Sequence, residues 1–98
     1  TPELVIDQVS SFYNVDKRIL ISKRRDRKTT IARQVAIYLL RELIQMPLKE
    51  IGSLLGNRDH TTIRHAWSKT LLARDTDSEL RTQITIICTA IETLLQDS

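Results

Sequence analysis

The sequence predicts an all-α fold, and three observations support that prediction. Glycine and proline number only two each among 98 residues, which leaves few of the turn residues that a β-sandwich or barrel needs. Apolar residues recur at spacings of three and four along most of the chain, which is the period of an amphipathic helix. No stretch shows the alternating pattern of a strand. A chain of this length can bury one core, so we expect residues 1–98 to form a single domain.

The first two helices follow from their caps and apolar spacing. Thr1 followed by Pro2 is typical of an N-cap with proline at the first helical position. Asp16 is placed to cap a second, short helix that buries Ile19 and Leu20. The first helix is expected to end at about Tyr13, and its apolar stripe consists of Leu4, Val5, Val9, Phe12 and Tyr13.

A basic segment separates the second helix from the third. Residues 23–28 contain five basic residues and no apolar one, so we expect an exposed loop. Residues 17–41 hold nine basic residues against Asp26 alone, a net charge of +8 in a chain whose net charge is +3. The ordinary interpretation is a solvated charge run. The position of this loop just ahead of Arg33 and Gln34 favours contact with DNA, because a basic stripe attracts nucleic acid.

The third helix is predicted to be the longest and the most central. Thr29 or Thr30 is expected to begin it, and it should run to about Gln45. Apolar residues fill most of its circumference, as in a helix packed on more than one side. Pro47 should end it, because proline disfavours helix in the preceding residue and lacks the N–H donor.

The next two helices predict a helix-turn-helix over about residues 48–74. Residues 48–55 form a short apolar-faced helix, and Gly56 is placed as its C-terminal cap. The following helix, residues 59–74, opens with four polar residues in place of the apolar ones that a core requires: Asp59, His60, Thr61 and Thr62. In a helix-turn-helix, the start of the second helix meets base edges in the major groove.

The outer face of helix 59–74 has two interpretations. Thr61, His65 and Ser68 share one surface at helical spacing, and their side chains are short enough for close approach to bases. Asp59 could accept a hydrogen bond from a cytosine amine. Alternatively, Asp59 is a plain N-cap and the first turn is merely solvated. The upstream helix and the basic loop favour the DNA-reading interpretation.

The last helix is predicted from a capping box at residues 76–79, Thr-Asp-Ser-Glu. An apolar stripe of helical spacing follows the box, and it should face the core: Leu80, Ile84, Ile87, Ile91 and Leu94.

Several classes of function are disfavoured by the sequence. No apolar run approaches the ~20 residues of a membrane span, and no signal peptide is evident. The single cysteine, Cys88, rules out an internal disulfide and fits a reducing cytoplasm. His60 and His65 do not share a helix face, so we expect no metal site. Neither a Gly-rich phosphate loop nor an oxyanion loop appears, and we expect neither an enzyme nor a cofactor-binding domain.

Residues 56–66, Gly-Asn-Arg-Asp-His-Thr-Thr-Ile-Arg-His-Ala, closely resemble the signature of the DnaA family of bacterial replication initiators, in its C-terminal DNA-binding domain. Three further segments resemble the same family in register: Ser-Lys-Arg-Arg at residues 22–25, Ala-Arg-Gln at residues 32–34 and Glu-Ile-Gly at residues 50–52. The resemblance covers essentially the whole chain.

The resemblance implies a six-helix domain that binds double-stranded DNA at DnaA boxes of the TTATNCACA type, in replication origins and some promoters. It implies that Arg25 enters the minor groove and that Asp59, His60 and Thr61 read bases in the major groove. It also implies phosphate contacts from Arg33, Gln34, Arg41, Thr62 and Lys69.

The resemblance also bears on the setting of the domain. The ATPase domain of such an initiator would precede Thr1, so we expect this piece to bind DNA without ATP. It should do so as a monomer, in the cytoplasm and associated with the nucleoid.

Two other functions fit the same pattern. One is a helix-turn-helix transcription regulator outside replication, which would have no reason to prefer a DnaA box. The other is a helical adaptor whose basic face docks an acidic protein, which would not bind DNA at all.

Overall fold

The computed structural model describes residues 1–97, which fold into six α-helices with no strand among them. The central helix α3 packs against α1 and α5, and α6 closes the fold against α1 and α5. The all-α prediction is confirmed. The helices are α1 (Pro2–Tyr13), α2 (Lys17–Leu20), α3 (Arg27–Ile44), α4 (Leu48–Leu54), α5 (His60–Thr76) and α6 (Ser78–Gln96).

The core surrounds α3, as its wide apolar arc predicts. Val35, Ala36, Leu39 and Leu40 of this helix have no solvent exposure. The other helices contribute one or more apolar side chains each, including Val9, Leu20, Ile51, Ile63 and Ile87. Burial of one such side chain contributes about 1.5–3 kcal/mol, so this core fixes the relative positions of the helices.

The N-terminal caps of α1 and α2 are those predicted. The Thr1 hydroxyl accepts a hydrogen bond from the Leu4 amide at 3.3 Å, and Pro2 is the first helical residue. The Asp16 carboxylate accepts from the Arg18 amide at 2.8 Å.

The start of α3 differs from the prediction of Thr29 or Thr30. Asp26 is the N-cap, because its Oδ2 accepts hydrogen bonds from both the amide and the hydroxyl of Thr29, at 3.2 and 3.0 Å. Asp26 therefore brings Arg27 and Lys28 into the first turn of the helix, where both remain exposed. The basic loop is accordingly shorter than predicted and ends at Asp26.

The boundary between α5 and α6 also differs from the prediction. The sequence predicts that α5 ends near residue 74 and that Thr76 begins a capping box. In the structure α5 continues through Thr76, and Asp77 alone separates the two helices. Asp77 is the N-cap, since its Oδ1 accepts a hydrogen bond from the Leu80 amide at 3.1 Å.

The turn between α4 and α5 depends on two glycines. Leu55 is the C-cap of α4, and Gly56, which was predicted as the cap, follows one residue later with φ 82°, a value that only glycine adopts readily. A Cβ on Gly56 would overlap the carbonyl oxygen of Ile21. At Gly52 a Cβ would overlap the carbonyl oxygen of Arg58, whose amide donates to Gly52 O at 2.8 Å. The turn therefore packs closely on α4 and on the segment after α2.

Among the described helices, none combines the length and the hydropathy that crossing a membrane requires.

Candidate nucleic-acid interface

The N-terminus of α5 presents the predicted base-reading residues to solvent. Asp59, His60, Thr61 and Thr62 are all exposed. Asp59 is the N-cap, and its Oδ2 accepts a hydrogen bond from the Thr61 amide at 3.2 Å. The structure thus confirms the ordinary interpretation of Asp59 as a helix cap. Its other oxygen, Oδ1, lies 3.4 Å from Nδ1 of His60, so the cap also orients the neighbouring imidazole.

A groove of about 610 Å³ lies between α3, α5 and the start of α6. Three predicted DNA-binding residues, far apart in sequence, line it together: Arg25, Gln34 and Lys69. Arg27 adds a further positive charge, while acidic residues at the start of α6 line the groove as well. The fold therefore brings the basic loop and α5 to one surface, which sequence spacing alone does not show.

The side chains of Arg25, Gln34, Thr62 and Lys69 have no hydrogen-bond or ion-pair partner within residues 1–97. The neighbouring Arg24 differs, because its Nε lies 2.7 Å from Asp26 Oδ1. Thr62 and Lys69 are two helical turns apart on one face of α5, about 10 Å along its axis. These four side chains can contact a ligand without first breaking a contact inside the protein.

Arg33, which was predicted to contact a phosphate, does not lie on the surface. It is buried, with 7% of its surface exposed. Its guanidinium donates to four backbone carbonyl oxygens: those of Leu20 (2.8 Å), Arg24 (3.0 Å), Ser22 (3.0 Å) and Ile19 (3.3 Å). Burial, and then the nearby Arg58 guanidinium, lower the pKa of Arg33. Arg33 thus holds the basic loop from inside, because a phosphate would have to compete with these carbonyls.

Arg41 lies two turns beyond Gln34 along α3 and outside the groove described above. Its Nη1 donates to the carbonyl oxygen of Met46 at 3.1 Å, and its guanidinium lies 5.3 Å from the centre of the Trp67 ring. Trp67 is half-buried against the core and donates from Nε1 to Glu42 at 3.3 Å. Trp67 therefore packs on the core and does not form an exposed stacking surface.

Arg58 is the residue whose role the sequence did not indicate. Its Nη2 donates to the carbonyl oxygen of Ser22 at 2.6 Å, and its Nη1 donates to the carbonyl oxygens of Leu55 and Ile21. Arg58 therefore joins the end of α4 to the segment that leads into the basic loop. An arginine in a turn has no periodic signal, so only the tertiary contact identifies this role.

Comparison with known proteins places this chain in a family. The family described as "Bacterial dnaA protein helix-turn-helix" matches residues 2–70. The protein named chromosomal replication initiator protein DnaA in Roseiflexus castenholzii is 44% identical over 87 residues, which cover 89% of this chain and 18% of that protein. The protein of the same name in Bordetella pertussis is 45% identical over 80 residues, covering 82% of this chain and 17% of that protein.

The protein of that name in Herpetosiphon aurantiacus is 41% identical over 85 residues, covering 87% of this chain and 18% of that protein. The chain thus spans less than a fifth of the length of the curated relatives it matches. The family match covers more than half of the chain and includes the turn and the start of α5. This chain belongs to the bacterial DnaA helix-turn-helix family.

Proposed function

We propose that this chain binds double-stranded DNA at DnaA boxes and so serves the initiation of chromosome replication. One observation carries the proposal. The polar residues at the start of α5 are exposed, and a groove runs beside the same helix. Arg25, Gln34 and Lys69 line that groove, and none of their side chains has a hydrogen-bond or ion-pair partner within residues 1–97. Short polar side chains suit base edges, and unengaged basic ones suit phosphates. The name shared by the relatives, chromosomal replication initiator protein, supports the same role.

In this docking, α5 enters the major groove by its N-terminus. Asp59, already oriented by its cap contact with the Thr61 amide at 3.2 Å, accepts a hydrogen bond from a cytosine amine. His60 and Thr61 read neighbouring base edges, and their carbon atoms pack on a thymine methyl. Arg25 reaches the adjacent minor groove, where a narrow A/T-rich segment attracts a guanidinium.

Phosphates are held on either side of the major groove. Lys69 and Thr62 contact the backbone from α5, and Gln34 contacts it from α3. Arg41 is a further candidate through the guanidinium N–H groups that the Met46 carbonyl does not occupy. Arg33 supports this surface indirectly, by fixing the loop that carries Arg25.

The role is one of binding, with no chemical step performed by this domain and no nucleotide needed. We infer a cytoplasmic, nucleoid-associated setting, and binding as a monomer because a DnaA box is asymmetric. ATP is expected to act only through the ATPase domain of the longer initiator.

A fluorescence-anisotropy titration of the 98-residue chain tests the proposal. A DnaA-box duplex should bind more tightly than a scrambled duplex of the same composition, with or without ATP. Affinity should fall as salt rises, and each phosphate neutralised by a Lys or Arg should make the slope of log affinity against log salt more negative by about 0.9. Equal affinity for the two duplexes would favour a transcription regulator of different specificity. Absence of DNA binding would favour the adaptor.

A further inference from the structure

We propose that Arg58 is a positioning residue that couples reading of the minor groove to reading of the major groove. The inference rests on the proposed function, since it concerns how Arg25 and the start of α5 act together. It assigns Arg58 no contact with DNA. Its effect passes through the basic loop, which it holds at a fixed place relative to α5.

The contacts of Arg58 join two parts of the fold that are distant in sequence. Its guanidinium donates to Leu55 at the end of α4, and to Ile21 and Ser22 after α2. The Nη2 to Ser22 oxygen distance is 2.6 Å. Arg58 stands directly before Asp59, the N-cap of α5. The residue that fixes the loop is therefore covalently adjacent to the residues proposed to read bases.

A short chain of contacts continues from Ser22 to the loop. The Ser22 hydroxyl accepts a hydrogen bond from the Arg24 amide at 3.2 Å and donates to the Ile19 carbonyl at 2.6 Å. Arg33 holds the carbonyl oxygen of Arg24 at 3.0 Å. Arg25 is the next residue. Hydrogen bonds therefore hold the backbone at Arg24, next to Arg25, whereas the Arg25 side chain has no hydrogen-bond or ion-pair partner within residues 1–97.

The close approach at Gly56 supports the same coupling. Gly56 packs so tightly against the carbonyl oxygen of Ile21 that a Cβ would not fit. The backbone of the turn at Gly56 is therefore in direct contact with the backbone at Ile21, beside the Arg58 hydrogen bonds. Residues 23–26 contain no apolar side chain to bury, so polar contacts must hold the loop. A loop positioned before binding loses less conformational entropy when it meets DNA, which raises affinity for a box whose two ends are correctly spaced.

A double-mutant cycle between Arg58 and Arg25 tests the coupling in the 98-residue chain. The variants are Arg58→Ala, Arg25→Ala and the pair, each titrated with a box whose A/T-rich end is intact and with one in which G·C pairs replace that end. Arg58→Ala should reduce the preference for the intact end by about tenfold. In the Arg25→Ala background, the same change should alter that preference by less than about twofold.

Two controls separate coupling from damage to the fold. Arg58→Lys keeps the charge but loses the planar fork that binds several carbonyls, so it should recover only part of the preference. Arg64→Ala removes an exposed arginine of α5 with no hydrogen-bond or ion-pair partner within residues 1–97, and should affect both boxes equally. Thermal unfolding of each variant should show a folded domain at the assay temperature. If Arg58→Ala is unfolded there, the cycle is run with Arg58→Lys.

The outcomes distinguish this inference from the proposed function. If the unmodified chain prefers a box over a scrambled duplex but Arg58→Ala leaves the end preference intact, the coupling is wrong and the proposed function stands. If Arg58→Ala lowers the end preference equally with and without Arg25, its effect does not pass through Arg25. If the unmodified chain shows no box preference, the proposed function fails first.

Discussion

Arg33 and Arg58 donate hydrogen bonds to the same acceptor, the backbone carbonyl oxygen of Ser22, at 3.0 and 2.6 Å. Two guanidinium groups so close together repel each other, and the Arg58 charge contributes to the lowered pKa of Arg33. The surrounding carbonyl oxygens compensate, because each guanidinium also donates to at least two others. Arginine suits this role better than lysine, since its weakly hydrated planar fork satisfies several acceptors at once.

Arg33→Ala should destabilise the domain by about 2–4 kcal/mol, because it removes a buried guanidinium and leaves the carbonyl oxygens of Leu20 and Arg24 without their donor. Urea unfolding measures the effect, and Arg27→Ala is a matched control since Arg27 is exposed. Unchanged stability together with weaker DNA binding and a shallower salt slope would return Arg33 to the predicted phosphate contact.

Base-reading and phosphate-binding residues should fail in different ways. His60→Ala or Thr61→Ala should make the binding free energy for the preferred base less favourable by roughly 1–3 kcal/mol and so reduce discrimination between bases at that position. Lys69→Ala should weaken all duplexes alike and make the salt slope shallower by about one unit. Titrations with boxes altered at single positions measure both effects. A change in box preference from Lys69→Ala but not from His60→Ala would contradict the proposed docking.

Arg25→Ala should cost affinity for a box with an intact A/T-rich end while leaving stability unchanged, because the side chain is exposed and has no hydrogen-bond or ion-pair partner within residues 1–97. Arg25→Lys should restore only part of the loss, since an ammonium is more strongly hydrated and enters a narrow groove less readily. The affinity of each variant is measured for the intact box and for a box in which G·C pairs replace the A/T-rich end. Equal losses on both boxes would make Arg25 a general phosphate contact.

Gly52→Ala should disrupt the turn before α5, because the added Cβ would overlap the carbonyl oxygen of Arg58. We expect a loss of about 1–3 kcal/mol in stability, the usual range for overpacking, and weaker box binding. Ser53→Ala is the control, since it lies next in the same helix and is exposed. Chemical unfolding and anisotropy measure the two effects. Wild-type stability in Gly52→Ala would contradict the close packing of α4 on the turn.

Asp26 should give α3 an acid-sensitive cap. Its hydrogen bonds with Thr29 and the nearby Arg24 charge hold the pKa of this carboxyl below its usual value. A pKa lowered by folding contributes stability that is present above the unfolded-state pKa and is lost as the pH falls through the folded-state pKa. Asp26→Asn keeps a capping oxygen without the titration, so its melting temperature should fall less steeply below about pH 4.

Asp26→Ala removes the cap at every pH. Its melting temperature should lie below that of the unmodified chain at pH 7, and the difference should narrow in acid. Thermal unfolding followed by circular dichroism from pH 7 to pH 2 measures all three proteins. Parallel curves for the unmodified chain and Asp26→Asn would show that this cap does not titrate in the folded domain.

The all-α class, the order of the helices and the polar start of α5 can all be predicted without the structure. Each of these is a local property, because it follows from the spacing of apolar residues, from caps such as Asp16 and Asp59, and from the residues that end helices. The limits of α3 and α5 were less well predicted, because neighbouring Asp and Thr residues compete for the cap. At both places the aspartate, Asp26 or Asp77, takes the cap position.

Which basic side chains are available to a ligand depends on the packing of the helices. Arg25 and Lys69 line one groove, whereas Arg33, predicted as a phosphate contact like Lys69, is buried among carbonyl oxygens. Arg58 acquires its role solely from the approach of the turn to residues 21–22. Charge and spacing are the same for an arginine that binds a ligand and for one that holds a loop. What distinguishes them is whether backbone carbonyls from distant parts of the chain surround the guanidinium, and this depends on how the helices pack.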